Sequence, residues 1–140
     1  MVGFDKRIYL IDFGLAQYFC DPMTYDHIPE TKGHDLIGTI RYTSINSHKG
    51  IQQSRRDDLE SMAFTLLFLI EGKLPWQGIP RSQSGDHYGA ILRKKQDLCK
   101  AFHSSIPSAL TTFLQYTRSL AFAEKPDYAH LHALIQKFPT

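Results

Sequence analysis

The sequence predicts a mainly α-helical domain, entered through one short strand and a long irregular loop. Three observations carry that expectation. A dense apolar run from about Arg55 to Glu71 has start and stop signals at its two ends. Two later stretches, 107–120 and 128–138, repeat apolar residues at helical spacing. Between Asp12 and Gly50, by contrast, turn residues recur and no helical period holds.

The first element is "RIYLI", residues 7–11, a β-branched and aromatic run that reads as a buried strand. The chain then passes Asp21-Pro22, Pro29, Gly33, Gly38 and Asn46 without regular structure. Irregular segments of this length inside a compact domain are usually functional loops or disordered. Phe19, Tyr25, Ile28, Leu36, Ile37, Tyr42 and Ile45 give this one apolar content, which favours a packed loop over a tail.

The central helix follows. Ser54 and Asp57 match a capping box, Gly72 stops the helix and Pro75 keeps it from resuming. Leu59, Met62, Phe64, Leu66 and Leu67 through Ile70 cover nearly every face, the pattern of a helix buried at the centre of a domain. A weaker helix is expected at about 86–97. The segment 107–120 starts with Pro107 in its first turn and aligns Leu110, Phe113 and Leu114. Tyr128, Leu131, Leu134, Ile135 and Phe138 align in the last.

The bulk properties fit an ordinary globular protein. At 140 residues, with 42% hydrophobic and 21% charged residues, one domain with a core is expected. A formal charge of +2 is too small to suggest nucleic acid as a partner. Cys20 and Cys99 form no CxxC pair, so neither a disulfide framework nor a zinc knuckle is indicated, and reduced thiols are expected. No run approaches the roughly 18 apolar residues of a membrane span, and "MVGFDKR" lacks a signal core. No membrane partner is expected, and the location is expected to be cytoplasmic or nuclear. The seven histidines suggest no metal site, since His130 and His132 stand on different faces of one helix.

Five stretches carry chemistry in a fixed order: "IDFG" at 11–14, "GTIRYTSIN" at 38–46, "HKGIQQSRRDDLES" at 48–61, "LPWQG" at 74–78 and "RSLAFAEKPDY" at 118–128. Asp-Phe-Gly alone is weak, because any strand can end in an acid and a glycine. Taken together, the five closely resemble the casein kinase I family of serine/threonine protein kinases. Ser44-Ile45-Asn46 stands where most kinases carry Ala-Pro-Glu. The resemblance covers almost the whole chain but only the lower part of the family's C-terminal lobe. It therefore implies that 1–140 is a partial kinase domain, running from the DFG strand onward with a long activation-segment loop.

What the resemblance implies for single residues is specific. Asp12 would hold magnesium on the phosphates of ATP, with Gly14 supplying backbone freedom and Ile11 flooring the nucleotide pocket. Read alone, Asp12 belongs to a surface turn and Ile11 to the core. Asp58 occupies the family's structural acid, which bonds the catalytic loop; its other role is simple helix-end electrostatics. Arg41, Gly78 and the position of His87 would form a pocket for a phosphate or acidic group on the substrate, Arg41 through its planar fork. His87 stands where the family has a lysine. A solvated basic face, Arg41 with Lys49, Arg55 and Arg56, is the plainer reading, and Trp76 reads as packing.

The family's glycine-rich loop, strand lysine, helix-C glutamate, catalytic aspartate and magnesium-holding asparagine would all precede Met1. A fragment, a truncated gene model or a degenerate copy is expected, inactive alone, with acidic or phosphorylated proteins as partners. A non-catalytic phosphoprotein-binding module is the rival expectation.

Overall fold

In the computed structural model, residues 7–80 and 86–138 are described, so the charged start of the chain and most of "SQSGDHY" lie outside the described residues. Five helices make up the regular structure: α1 Ile45–His48, α2 Arg55–Glu71, α3 His87–Lys100, α4 Ser108–Ser119 and α5 Tyr128–Ile135. α2 packs on α4, α4 on α5, and the short α1 contacts both α2 and α3. Among the described residues no helix is long and apolar enough to cross a membrane.

The start and stop signals of α2 act largely as the sequence predicts. Asp57 Oδ2 accepts the Ser54 backbone N–H at 2.9 Å, which is one half of the capping box. The other half is looser: Ser54 Oγ is turned toward the Asp57 N–H as the box requires, without a hydrogen bond of full geometry. Gly72 adopts φ 69° and sends its N–H back to Phe68 O, closing the last turn in the left-handed geometry that glycine tolerates best.

Ala63, Phe64 and Leu67 of α2 enter the core, where Leu74, Trp76, Phe113 and Leu114 meet them. Phe64 and Trp76 pack edge to face at 5.0 Å between centroids. The opposite face of α2 is not covered: Leu69 is 70% exposed, and Met62 and Ile70 are each 37% exposed. The expected all-round burial therefore holds on one side only.

The expected N-terminal strand is not formed. Residues 7–11 are exposed, with Ile8 in a single isolated bridge. An apolar run becomes a buried strand only when a sheet receives it, and none exists among the described residues. The long loop is deeply packed in its second half and touches the body more lightly in its first, through Phe19 under Arg55 and His27 against Phe122. Tyr25 stands 81% exposed, whereas Thr43, Ser44 and Ile45 are buried.

Three smaller differences follow from local chemistry. α3 runs to Lys100, beyond the expected end. Pro107 caps α4 from outside instead of occupying its first turn. α5 stops at Ile135, after which Lys137 and Phe138 donate to Leu134 O and Ile135 O in tighter turns.

Candidate functional site

The second half of the loop, 38–47, is fastened to the helical body by polar ties that begin in α2. Asp57, fully buried, accepts the Ser44 hydroxyl at 2.7 Å, while Ser44 Oγ itself accepts Ser47 N–H as the cap of α1. Glu60, one turn on, accepts the Ile45 N–H at 3.1 Å and pairs with Arg118 of α4 at 3.0 Å. Burial raises the Glu60 carboxyl above its usual range, and the Arg118 charge opposes that shift.

Lys95 of α3 is the least expected member. It is completely buried, and its Nζ donates to Ile40 O at 2.8 Å and to Thr43 O. The ammonium lies 5.3 Å from the Phe64 ring centroid and 5.4 Å from that of Trp76. Burial lowers its pKa from 10.5 to about 8, with Glu60 pulling the other way. Trp76 completes the fastening by donating its indole N–H to Arg41 O at 2.8 Å, so this packing residue also anchors the loop.

The ties hold Arg41 by its backbone and leave its side chain outside. The guanidinium sits 5.9 Å from the Tyr42 ring centroid and has no acidic partner among the described residues. Gly78 lies two residues past the anchoring Trp76, with φ 78°. His87 begins α3 and its Nδ1 is 3.4 Å from Pro80 O. Trp76 and Pro80 link the three segments, while no hydrogen bond, ion pair or ring contact joins Arg41, Gly78 and His87 to one another among the described residues. Arg55 and Arg56 do not join them: Arg55 donates to Ala123 O and Arg56 to Leu120 O, with Arg56 also 3.5 Å from Glu30.

Asp12 and Ile11 stand elsewhere, in the exposed first half of the loop. Asp12 has φ 63°, an uncommon backbone for a non-glycine residue, and its Oδ1 accepts the Gly14 N–H at 3.3 Å. Ile11 is 52% exposed, so it floors no enclosed pocket. Magnesium is ordinarily held by carboxylates together with substrate phosphates and water. Asp12 has no second acid beside it, and no three His, Cys, Asp or Glu side chains gather as a ligand set among the described residues. The described residues offer magnesium a lone carboxylate there, that of Asp12.

A cavity of about 500 Å³ opens between the two halves of the loop and the first turns of α2. Leu15, Phe19, Ile37 and Tyr42 give it apolar walls, and Ser54 and Asp58 lie along its α2 side. Partial burial of the Asp58 carboxyl, and then the like charge of Asp57, hold its pKa above the usual range. Asp58 makes no side-chain hydrogen bond among the described residues, so of its two expected roles only the helix-end one is filled by this chain. Both cysteines are free thiols, and burial pushes Cys99 up to about 11, which keeps it protonated and unreactive. No protein-family model matches the chain.

Sequence reasoning missed Lys95, Glu60 and Arg118. For Glu60 a signal existed, an acid one turn after Asp57 inside an apolar helix. For Lys95 there was none, since a lysine in "LRKKQ" reads as a surface residue.

Proposed function

We propose that this chain is the substrate-binding portion of a casein kinase I-like serine/threonine kinase lobe. The parent reaction is transfer of the γ-phosphoryl group of ATP to serine or threonine of acidic or already phosphorylated proteins. These 140 residues carry no glycine-rich loop, phosphate-binding lysine or catalytic-loop aspartate, and those parts supply most of the positioning in phosphoryl transfer. The chain by itself is therefore an acceptor-side docking platform without turnover, and ATP and magnesium belong to the parent reaction.

The observation that supports this reading is the anchoring of loop 38–47 with the Arg41 side chain lacking an acidic partner among the described residues. A guanidinium fixed through its backbone and lacking an acid suits a phosphate or carboxylate on a partner. The same observation favours docking without catalysis, the second reading, over a role that needs Asp12.

A phosphoserine peptide titrated against the chain and its variants tests the assignment. Arg41→Ala is expected to weaken binding at least about tenfold, the scale of a lost charge-assisted pair. His87→Lys is expected to strengthen it. Equal affinity of Arg41→Ala and the parent would show the basic stretch to be a solvated face. With labelled ATP, magnesium and an acidic protein substrate, no turnover above background is expected. Turnover abolished by Asp12→Asn would overturn the non-catalytic part.

A further inference from the structure

The four residues of α1 are fixed firmly at one end and weakly at the other. At the N-terminal end the Ser44 hydroxyl donates to Asp57, and the Ile45 N–H donates to Glu60, both on α2. At the C-terminal end stands His48, whose Nδ1 and Nε2 are both buried without a hydrogen-bond partner among the described residues. A neutral imidazole carries one donor and one acceptor, and burying them unmade costs free energy. Packing alone holds this ring. α1 contacts α3, where the half-exposed Tyr88 meets His48 edge to face at 6.4 Å between ring centroids.

The surroundings oppose a proton on that ring. Burial first, and then the Lys95 ammonium of α3, hold the imidazole below its ordinary 6.5, against a weaker pull from the Tyr88 backbone. The carboxylates nearby are already taken. From α2, Asp57 accepts Ser44 and the Ser54 N–H, while Glu60 accepts the Ile45 N–H and pairs with Arg118. At the start of α3, Asp86 pairs with Arg93 at 2.8 Å, and His87 beside Tyr88 brings an imidazole instead of an acid. Lys49, the next residue, is an exposed cation, and Lys32 stands opposite Ile51. His34 reaches Gly50 through its backbone and gives its ring to Thr31.

We propose that α1 is an acid-sensitive latch: neutral His48 holds its C-terminal end against α3, and protonation of the ring releases that end. An imidazolium carries two N–H donors and a full charge, which the Tyr88 ring cannot solvate and Lys95 repels. Turning about the fixed Ser44–Ile45 end brings the ring to water. The same turn loosens the bonds from Ile51 N–H to Asn46 O and from His34 N–H to Gly50 O. With its folded value below 6.5, His48 takes a proton more readily in the released state, so the latch holds above pH 6.5 and weakens as pH falls below it. Asp58 and Glu60 work the other way, because their raised carboxyls bind protons better in the folded chain. The lowered Asp21 and Asp86 act only near and below their ordinary 3.8. The latch depends on α1 and α3 and stands apart from the anion-docking reading of Arg41.

Amide hydrogen exchange of the full chain at pH 7.5 and pH 5.5, with rates corrected for their intrinsic pH dependence, tests the latch. Protection of amides 48–51 is expected to fall about threefold or more at the lower pH, while α4 and α5 keep theirs. His48→Phe keeps a flat ring against Tyr88 and removes both nitrogens, so it is expected to show no such fall. Equal protection of the parent at the two pH values overturns the proposal. So does the same fall in His48→Phe, or a fall spread evenly over α4 and α5. Should His48→Phe fail to fold, the ring C–H signals of His48 in the parent, followed by NMR from pH 8 to pH 5, decide instead. A midpoint below 6.5 is expected, with the cross-peak to the Tyr88 ring lost as the charged form appears. A midpoint at or above 6.5, or a Tyr88 contact that persists in the charged form, overturns the latch.

Discussion

The two halves of the loop that precedes α2 contrast in a direction that apolar content does not predict, since residues 8–25 are the richer in apolar side chains and 38–47 are the better held. Residues 8–25 hold Ile8, Leu10, Phe13, Leu15 and Met23 at 66% exposure or more, whereas Thr43, Ser44 and Ile45 lie at 7% or less. Apolar content alone did not order the first half. The second half is held because buried polar groups on α2 and α3 take its backbone and hydroxyl groups one by one. Its N–H and C=O groups find Glu60, Lys95 and Trp76. In the first half, the hydrogen bonds are short-range turns such as Gly14 to Asp12 and Met23 to Asp21, and the tie to α2 is the Arg55 guanidinium over the Phe19 ring. Asp21 gains from its turn, the Met23 and Thr24 N–H groups holding its carboxyl below the usual range.

The comparison breaks first at the core. Phe64 has no exposed surface and contacts both Trp76 and the Lys95 ammonium. Phe64→Ala is expected to cost about 3–5 kcal/mol, through lost burial and the cavity left behind. Urea unfolding monitored by circular dichroism measures it. A loss under about 1 kcal/mol would mean that the lower body is as loosely packed as the upper segment.

The next effect lies in Lys95 and is read by pH. Its pKa of about 8 in the folded chain is below the ordinary 10.5. Between those values the unfolded chain binds more protons, so stability rises as pH rises through that window. The shift corresponds to about 3.5 kcal/mol at most, at about 1.4 kcal/mol for each pH unit between the two values. Below pH 8 both states are protonated and the penalty of burying the ammonium is carried in full. Unfolding free energies at pH 7.5 and pH 9.5, compared with those of Lys95→Met, isolate the effect. If the parent and Lys95→Met show the same slope, Lys95 is not buried as an ammonium.

A smaller loss is expected from Ser44→Ala. This hydroxyl donates to Asp57 and accepts from Ser47 N–H, so its removal unties α1 from α2 and uncaps α1. About 1–2 kcal/mol is expected, with loosening centred on residues 43–48 in hydrogen exchange. Uniform loosening across α4 and α5 would show that the tie is not local.

These effects also mark what the sequence can disclose. The bounds of α2 are readable because Ser54, Asp57 and Gly72 act locally, within one turn of each end. α1 is not, since four residues carry too little periodicity and its cap depends on Asp57, 13 residues away. The "RIYLI" run failed because pattern tells what a segment prefers, while the presence of a receiving sheet is a tertiary fact. The candidate site divides the same way. Arg41 is recognisable in "GTIRYTSIN", but its anchoring by Trp76 spans 35 residues and that of Thr43 by Lys95 spans 52. Periodicity does not encode contacts at such separations.

The smallest effect on stability belongs to the upper segment. Ile8 is 87% and Leu10 82% exposed, so serine at both positions removes little buried apolar surface. Surface changes of this kind usually stay within about 0.5 kcal/mol, and Ile8→Ser/Leu10→Ser is expected to leave the urea midpoint unchanged. Association should respond instead. With Tyr9, Ile11 and Phe13 also exposed, the parent presents a run of apolar side chains, and patches beyond a few hundred Å² promote self-contact. Sedimentation over a concentration series is expected to show the parent associating and the double variant less so. A midpoint lowered by more than about 1 kcal/mol would place these side chains in a packed interface, and the contrast between the two halves of the loop would fail. An unchanged midpoint with weaker association leaves the polar ties at 38–47 as the cause of that contrast, because the more apolar segment is then the one less firmly held.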